Sequence, residues 1–351
     1  MGRSSRAIIG GVDTHAATHH GAVIDSRGRL LADAEYPASG RGYAAMLTWM
    51  RSKGNLTKVG VEGTGAYGAG LARYLHEQGV EVLEVPRPDR RIRRQRGKSD
   101  PIDAEAAART VLAGRASGAS KLVDGPIEAI RMLRVARSDA VKAKTAAVNA
   151  LRAMLITTPD TLRSQLHGLS SAQLVAAYTK LRPDAANLTD PVQAAKAALR
   201  SIATRTRQLE LESQALRTQL DGLIKSVAPA TSAVFGLGPD TASALLVTIG
   251  DNPDRLRSEA AFARLCGVAP IPASSGKTHR HRLHRGGDRT GNHALHIAAV
   301  VRLRYDPRSR AYADRRTSEG LSKPEIIRCQ KRYLAREVFD ALRTDFTKLN
   351  T

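Results

Sequence analysis

IIGGVDTH, residues 8–15, is an apolar run that narrows to two glycines and ends on an acid, a threonine and a histidine. Its β-branched residues predict a strand over 7–12, with Asp13 carried out at the strand's end. Two further runs, 21–25 and 29–36, read as strands joined at Ser26-Arg27-Gly28, which makes a three-strand meander. Beyond it the pattern predicts a helix over 42–51, a strand over 58–61, a helix over 67–78 closed by Gly79, and a strand over 81–85.

Three hairpin strands followed by strand-helix-strand is RNase H-like order. Glu62 ends the fourth strand in VGVEGTG, as Asp13 ends the first. Ser99-Asp100-Pro101 opens a helix, with proline suited to the first turn and a polar residue before it to cap. Asp100 and Asp103, three apart, then share one face. Four acids can so converge, and oxygen ligands of this kind suit magnesium, two ions of which can stabilise the attacking and leaving oxygens of a phosphodiester. Between the last strand and that helix, residues 86–98 carry Arg87, Arg90, Arg91, Arg93, Arg94, Arg96 and Lys98 against the single acid Asp89, a phosphate-seeking segment.

At 351 residues the chain exceeds what one core organises, so two globular domains with a connecting element are expected. Hydrophobic residues make up 42% and aromatics 4%, so the cores must be built from Ala, Val, Leu and Ile. The net charge of +22, from 55 basic and 33 acidic residues, points to a polyanionic partner, nucleic acid first. No apolar run reaches about 18 residues and no signal-peptide order is found, so a cytoplasmic, nucleoid-associated protein is expected. Cys266 and Cys329 are too few for a disulfide framework.

Residues 126 to about 227 read as helical, broken near Pro159 and around 183–191. In the last of these helices Ile202, Leu209, Leu216 and Leu223 recur every seven residues, beside a second seam of Leu199, Leu220 and Val227 interrupted by Thr206 and Ser213. This is either a coiled-coil arm or an ordinary bundle helix. A second globular domain follows from about 229 to 342, ending on a basic amphipathic helix from Pro324, with 343–351 a short tail. VFGLGPDTASALL, residues 234–246, looks like a helix-hairpin-helix whose Gly236 and Gly238 amides suit a phosphate, or else a tight turn between packed helices.

GVAPIPASSGKTHRHRLHRGGDR, residues 267–289, sets Ser274 and Ser275 before Gly276 and ahead of Lys277, Arg280, Arg282, Arg285 and Arg289. A serine hydroxyl attacks phosphorus when a base or metal takes its proton and fixed cations stabilise the developing charge. His279, His281 and His284 invite a zinc reading, but arginines interleave them, and phosphate contact or proton transfer is the better reading.

GVDTH around Asp13, VEGTGAYG around Glu62, KSDPIDA around Asp100 and Asp103, FGLGPDTA, and GVAPIPASSGK followed by HRGGDRTGNHALH together resemble the DEDD-type bacterial insertion-sequence transposases of the "one-ten" family, over nearly the whole chain. The resemblance implies a RuvC-like domain (1–122) using Asp13, Glu62, Asp100 and Asp103 with Mg²⁺. It implies a helical, coiled-coil oligomerisation region (123–228) and a mainly helical transposase domain (229–351) in which Ser275, or Ser274, forms a phosphoserine link. Donor and target DNA, a structured bridge RNA that pairs with both, and a dimer or tetramer are the implied partners. A RuvC-like nuclease without a covalent intermediate and a non-catalytic nucleic-acid-binding protein are the competing readings.

Overall fold

The computed structural model describes residues 6–85, 99–116, 125–166, 168–251, 257–276 and 281–349. The chain divides into two compact units, Met1–Glu128 with Ala244–Thr351, and Ala129–Ser243.

The meander forms as expected. Strands β1 (Ala7–Thr14), β2 (Thr18–Asp25) and β3 (Leu30–Pro37) pair antiparallel in succession. At the second turn Gly28 adopts a φ of 80°, and the buried Asp25 carboxylate accepts the N–H groups of Arg27 at 2.9 Å and Arg29 at 2.8 Å while pairing with the Arg6 guanidinium. After α1 (Gly40–Ser52), β4 (Asn55–Glu62) runs parallel to β1. After α2 (Ala69–Glu77), β5 (Glu81–Val85) runs parallel to β4. The sheet order is β3-β2-β1-β4-β5.

Strands β2 and β4 begin three residues ahead of expectation because backbone pairing with β1 recruits polar residues: His19 lies opposite Thr14, and Asn55 opposite Ala7. Helix α2 begins later, at Ala69, because Gly63, at φ 67°, turns the chain and its carbonyl accepts the Ala66 and Gly68 amides.

The two faces of β1 are used differently. Ile8 and Val12 join Met46, Met50, Val59, Val61, Leu71 and Leu75 in a core under α1 and α2. By strand alternation Ile9, Gly11 and Asp13 face the other way. Helix α3 (Asp100–Leu112) covers that side with a buried stripe of Ala104, Ala107, Ala108 and Val111. A β-carbon on Gly11 would stand 2.2 Å from the Ala104 oxygen and 2.3 Å from the Ala108 nitrogen, and one on Gly60, its register partner, 3.0 Å from the Ala107 oxygen. Glycine in the sheet and alanine in the helix thus bring backbone against backbone. Gly11→Ala is expected to lift α3 and cost on the order of 1–3 kcal/mol, seen as a lower denaturation midpoint. An unchanged midpoint would show that this contact does not hold the helix.

In the second unit α4 (Pro126–Thr157), α5 (Asp160–Leu166), α6 (Ser171–Thr179), a 3₁₀ turn (Ala185–Asn187), α7 (Pro191–Val227) and α8 (Pro229–Ala233) follow in order, α4 starting just before the unit's boundary. Leu151, Leu162, Leu166, Leu174, Tyr178, Leu199 and Ala203 form its core, and Lys144 of α4 pairs with Glu210 of α7. Along α7 the fully buried row is Leu199, Thr206, Ser213, Leu220 and Val227, while Ile202, Leu209, Leu216 and Leu223 are only half-buried. The row expected to be secondary is therefore the internal one. Its hydroxyls are satisfied within the helix, Thr206 donating to the Ile202 carbonyl at 2.8 Å and Ser213 to that of Glu210 at 2.9 Å.

Helix α9 (Pro239–Ile249) lies beyond the FGLG turn, where Gly236 takes a φ of 93°. Asp251 accepts the Ile127 and Glu128 amides at 2.8 and 3.2 Å and so caps α4 from far along the chain. There follow α10 (Glu259–Leu265), a ribbon of β6 (Ile271–Pro272) and β7 (His281–Arg282), α11 (Arg289–Tyr305), α12 (Pro307–Ser318) and α13 (Lys323–Leu349). α13 packs on α10, α11 and α12. The short tail expected from 343 is instead helix as far as Leu349, since Leu342, Asp345 and Phe346 are buried and extend the packed face. Among the described residues no helix is long and apolar enough to cross a membrane.

Candidate active site

Asp13 leaves β1 at its C-terminal end on the α3 side, and α3 opens on Asp100 with Asp103 one turn along. Asp13 is 6% and Asp103 4% exposed. On β4, Glu62 shares the parity of Gly60, and the register that pairs Gly11 with Gly60 brings it abreast of Asp13. The Thr14 hydroxyl donates to the Glu62 carbonyl at 2.9 Å and ties the two strand ends together.

His15 stands between the acids, its Nε2 3.2 Å from Asp13 Oδ2 and 3.3 Å from Asp100 Oδ1. One ligand-capable atom from each of Asp13, His15 and Asp100 lies within 4.8 Å of the others. Burial pushes the Asp13 carboxyl above its usual value, His15 pulls it back, and the neighbouring Asp103 and Asp100 push it up again. Crowded, desolvated carboxylates of this kind are what a divalent cation relieves, so the donor set fits one. Behind it His19 is fully buried, stacked on Tyr43 at 5.5 Å and held toward its neutral form by burial.

Of the four sequence-predicted acids, Asp13 and Asp100 come within reach of each other beside His15, Asp103 lies close enough to act on Asp13, and Glu62 ends the neighbouring strand outside that tight group. His15 was missed as a member of the site. It stands one residue past the end of β1, two residues on from Asp13.

Ser274 and Ser275 are exposed in the stretch after β6, before Gly276 at φ 55°. Arg282 lies in β7, Arg285 in the loop that follows, and Arg289 opens α11, which Asp288 caps by accepting the Gly291 amide at 2.6 Å. The Gly238 amide donates to Thr241 Oγ1 at 2.8 Å, so one of the two hairpin amides expected to meet phosphate is engaged internally. Arg87, Arg90, Arg91, Arg93, Arg94, Arg96, Lys98, Lys277, His279 and Arg280 lie outside the described residues. Cys266 is buried and its thiol pushed up to about 12 by that burial, so it is inert as a nucleophile.

These features define a mixed α/β protein with a carboxylate cluster fit for a divalent cation, continued by a mostly helical remainder. A transposase model of the IS110 DEDD type matches residues 10–158, and the model of the IS116/IS110/IS902 transposase family matches residues 230–314. The chain belongs to the IS110 family of transposases. It is 31% identical over 130 residues, 36% of this chain and 32% of the relative, to the uncharacterized 43.6 kDa protein of insertion element IS110 from Streptomyces coelicolor. It is 30% identical over 191 residues, 48% of this chain and 46% of the relative, to the uncharacterized 42 kDa protein of insertion element IS900 from Mycobacterium paratuberculosis. The matched stretches thus span less than half the length of either relative.

Proposed function

We propose that the chain is the transposase of an insertion element, cutting and joining DNA strands with its carboxylate cluster and a serine. The observation that carries this is the meeting of Asp13 and Asp100 across the β1–α3 contact in a chain of a transposase family. Both relatives are named as proteins of insertion elements, which supports the substrate class. The sheet order, with acids ending the adjacent parallel strands β1 and β4, supports an RNase H-like domain over 1–122. We assign 123–228 to oligomerisation, on the half-buried row of Ile202, Leu209, Leu216 and Leu223 as a coiled-coil seam, and 229–351 to the transposase domain.

Asp13, Glu62, Asp100 and Asp103 would hold Mg²⁺, which when bound supplies Lewis-acid stabilisation of charge on the phosphoryl oxygens. Ser275 Oγ bonds to phosphorus as a strand P–O bond breaks, leaving a hydroxyl on one strand end and a phosphoserine link on the other. Attack by the hydroxyl of a second strand then joins the DNA and releases the serine. Ser274 is the rival position. Arg282, Arg285 and Arg289, with the arginine run of 87–98, hold phosphates, and a structured guide RNA supplies sequence choice. The net charge of +22 supports polyanionic partners.

With donor and target DNA and RNA transcribed from the element's flanks, strand joining is expected to require Mg²⁺, vanish with EDTA and return with added metal. Binding should fall linearly in log-log with salt, on the order of 10³-fold or more between 50 and 200 mM. Joining that survives EDTA would overturn the metal-dependent reading. The carboxylate cluster by itself also suits one second reading, a RuvC-like nuclease that hydrolyses DNA without a covalent link.

A further inference from the structure

The ribbon, the loop 283–287, α11 and α13 enclose a cavity of about 1220 Å³. That exceeds the roughly 300–1,000 Å³ of a pocket shaped for one small molecule, so an extended ligand fits it. Among the described residues its walls hold Arg282, Arg285, Arg289, Lys323, Arg328, Lys331 and Arg332 against a single acid, Glu325, which is engaged with the hydroxyl and amide of Ser322 at 2.6 and 2.9 Å and pairs with Arg328 at 3.7 Å, while Arg332 is taken up by Glu259. Among the described residues Arg282, Arg285, Arg289 and Lys323 make no ion pair. Their charge is therefore not consumed in holding the fold.

Lys331 is the most constrained of these cations. It is half-buried, and its Nζ donates to Asn292 Oδ1 at 2.6 Å, a neutral partner. Asn292 is itself fixed, its Nδ2 donating to the Cys266 and Gly267 carbonyls at 2.8 and 3.1 Å. An ammonium held in place at the cavity wall without a carboxylate is a preset counter-charge for an anion.

Phosphate alone does not account for the rest of the lining. Leu283 and Tyr333, 51% and 54% exposed, and Ile327 place apolar and aromatic surface among the cations. A double helix keeps its bases stacked inside and meets a protein with its backbone or groove edges, so it has no use for such walls in a concavity. An unpaired strand offers both chemistries, phosphates for the cations and base faces for the apolar surface. We infer that this cleft seats unpaired nucleotides of a DNA or RNA strand, with Lys331 on a phosphate and Tyr333 against a base. This rests on the proposed function and adds to it the state in which a strand is held. Ser274 and Ser275 follow β6, the strand paired with the Arg282 wall.

The test is binding of the full-length protein to fluorescent oligothymidylate, oligouridylate of equal length, and a blunt duplex, with an acidic peptide as competitor. Lys331→Met and Tyr333→Ala are expected each to weaken at least one unpaired oligomer about tenfold and the duplex less than about twofold. The more affected of the DNA and RNA probes identifies the source. Tyr333 is exposed, so its substitution keeps the test valid even if Lys331→Met fails to fold. Unchanged affinity of the unpaired strands in Tyr333→Ala, equal losses for duplex and single strand, or displacement by the peptide would each overturn the inference. Wild-type protein that binds the oligomers through these residues yet joins no strands would overturn the proposed function and leave the cleft standing.

Discussion

Asp13→Asn is expected to abolish strand cleavage while raising the melting temperature of the metal-free protein. Asp13 is buried beside Asp103 and Asp100, and among the described residues His15 offsets the crowding. Neutralising it removes a charge the fold disfavours and a ligand oxygen the chemistry requires. The catalytic loss should be on the order of a thousandfold or more, the several kcal/mol a bound metal contributes to phosphoryl transfer. The stability gain should be about 2–4 °C for each kcal/mol of relieved strain. The sign follows from linkage: a carboxyl whose folded pKa is raised favours its protonated form, so the metal-free fold loses stability as pH rises from the ordinary carboxyl value through the raised one. Asp13→Asn should flatten that decline, and added Mg²⁺ should raise the wild-type melting temperature more than the variant's. A variant that melts lower and still cleaves would remove Asp13 from the site.

Ser275→Ala is expected to eliminate a denaturation-resistant protein–DNA adduct that Ser274→Ala retains. Both serines are exposed, so neither substitution should disturb packing, and loss of the adduct reports chemistry rather than folding. Trapping would use the protein expressed with its flanking RNA, donor and target DNA, and Asp100→Ala alongside. Loss of the adduct with Ser274→Ala instead would move the nucleophile by one residue. Cleavage without any adduct, surviving both serine changes but lost with Asp100→Ala, would replace strand transfer with metal-dependent hydrolysis.

The strand order and the acids were legible in the sequence because each depends on local pattern: an apolar run ending on a carboxylate, or a proline just inside a helix start. His15 was not recognised, because an isolated histidine just past a strand's end has no pattern of its own. The close approach of α3 was hidden in residues without side-chain signal, Gly11 and Gly60 against Ala104, Ala107 and Ala108. Along α7 the polar appearance of Thr206 and Ser213 hid the row that packs inside the unit, since their bonds to the helix's own carbonyls let them be buried at little cost. Where the serines lie relative to the acids depends on tertiary packing, which no local pattern encodes.

The cap that Asp251 places on α4 also has a bearing on the order in which the molecule assembles. The amide of Ile127 waits for a carboxylate 124 residues downstream. At a synthesis rate of about 5–20 residues per second, that partner leaves the ribosome on the order of ten seconds later. During that interval the first turn of α4 lacks this cap, and a chain released before Asp251 would never gain it.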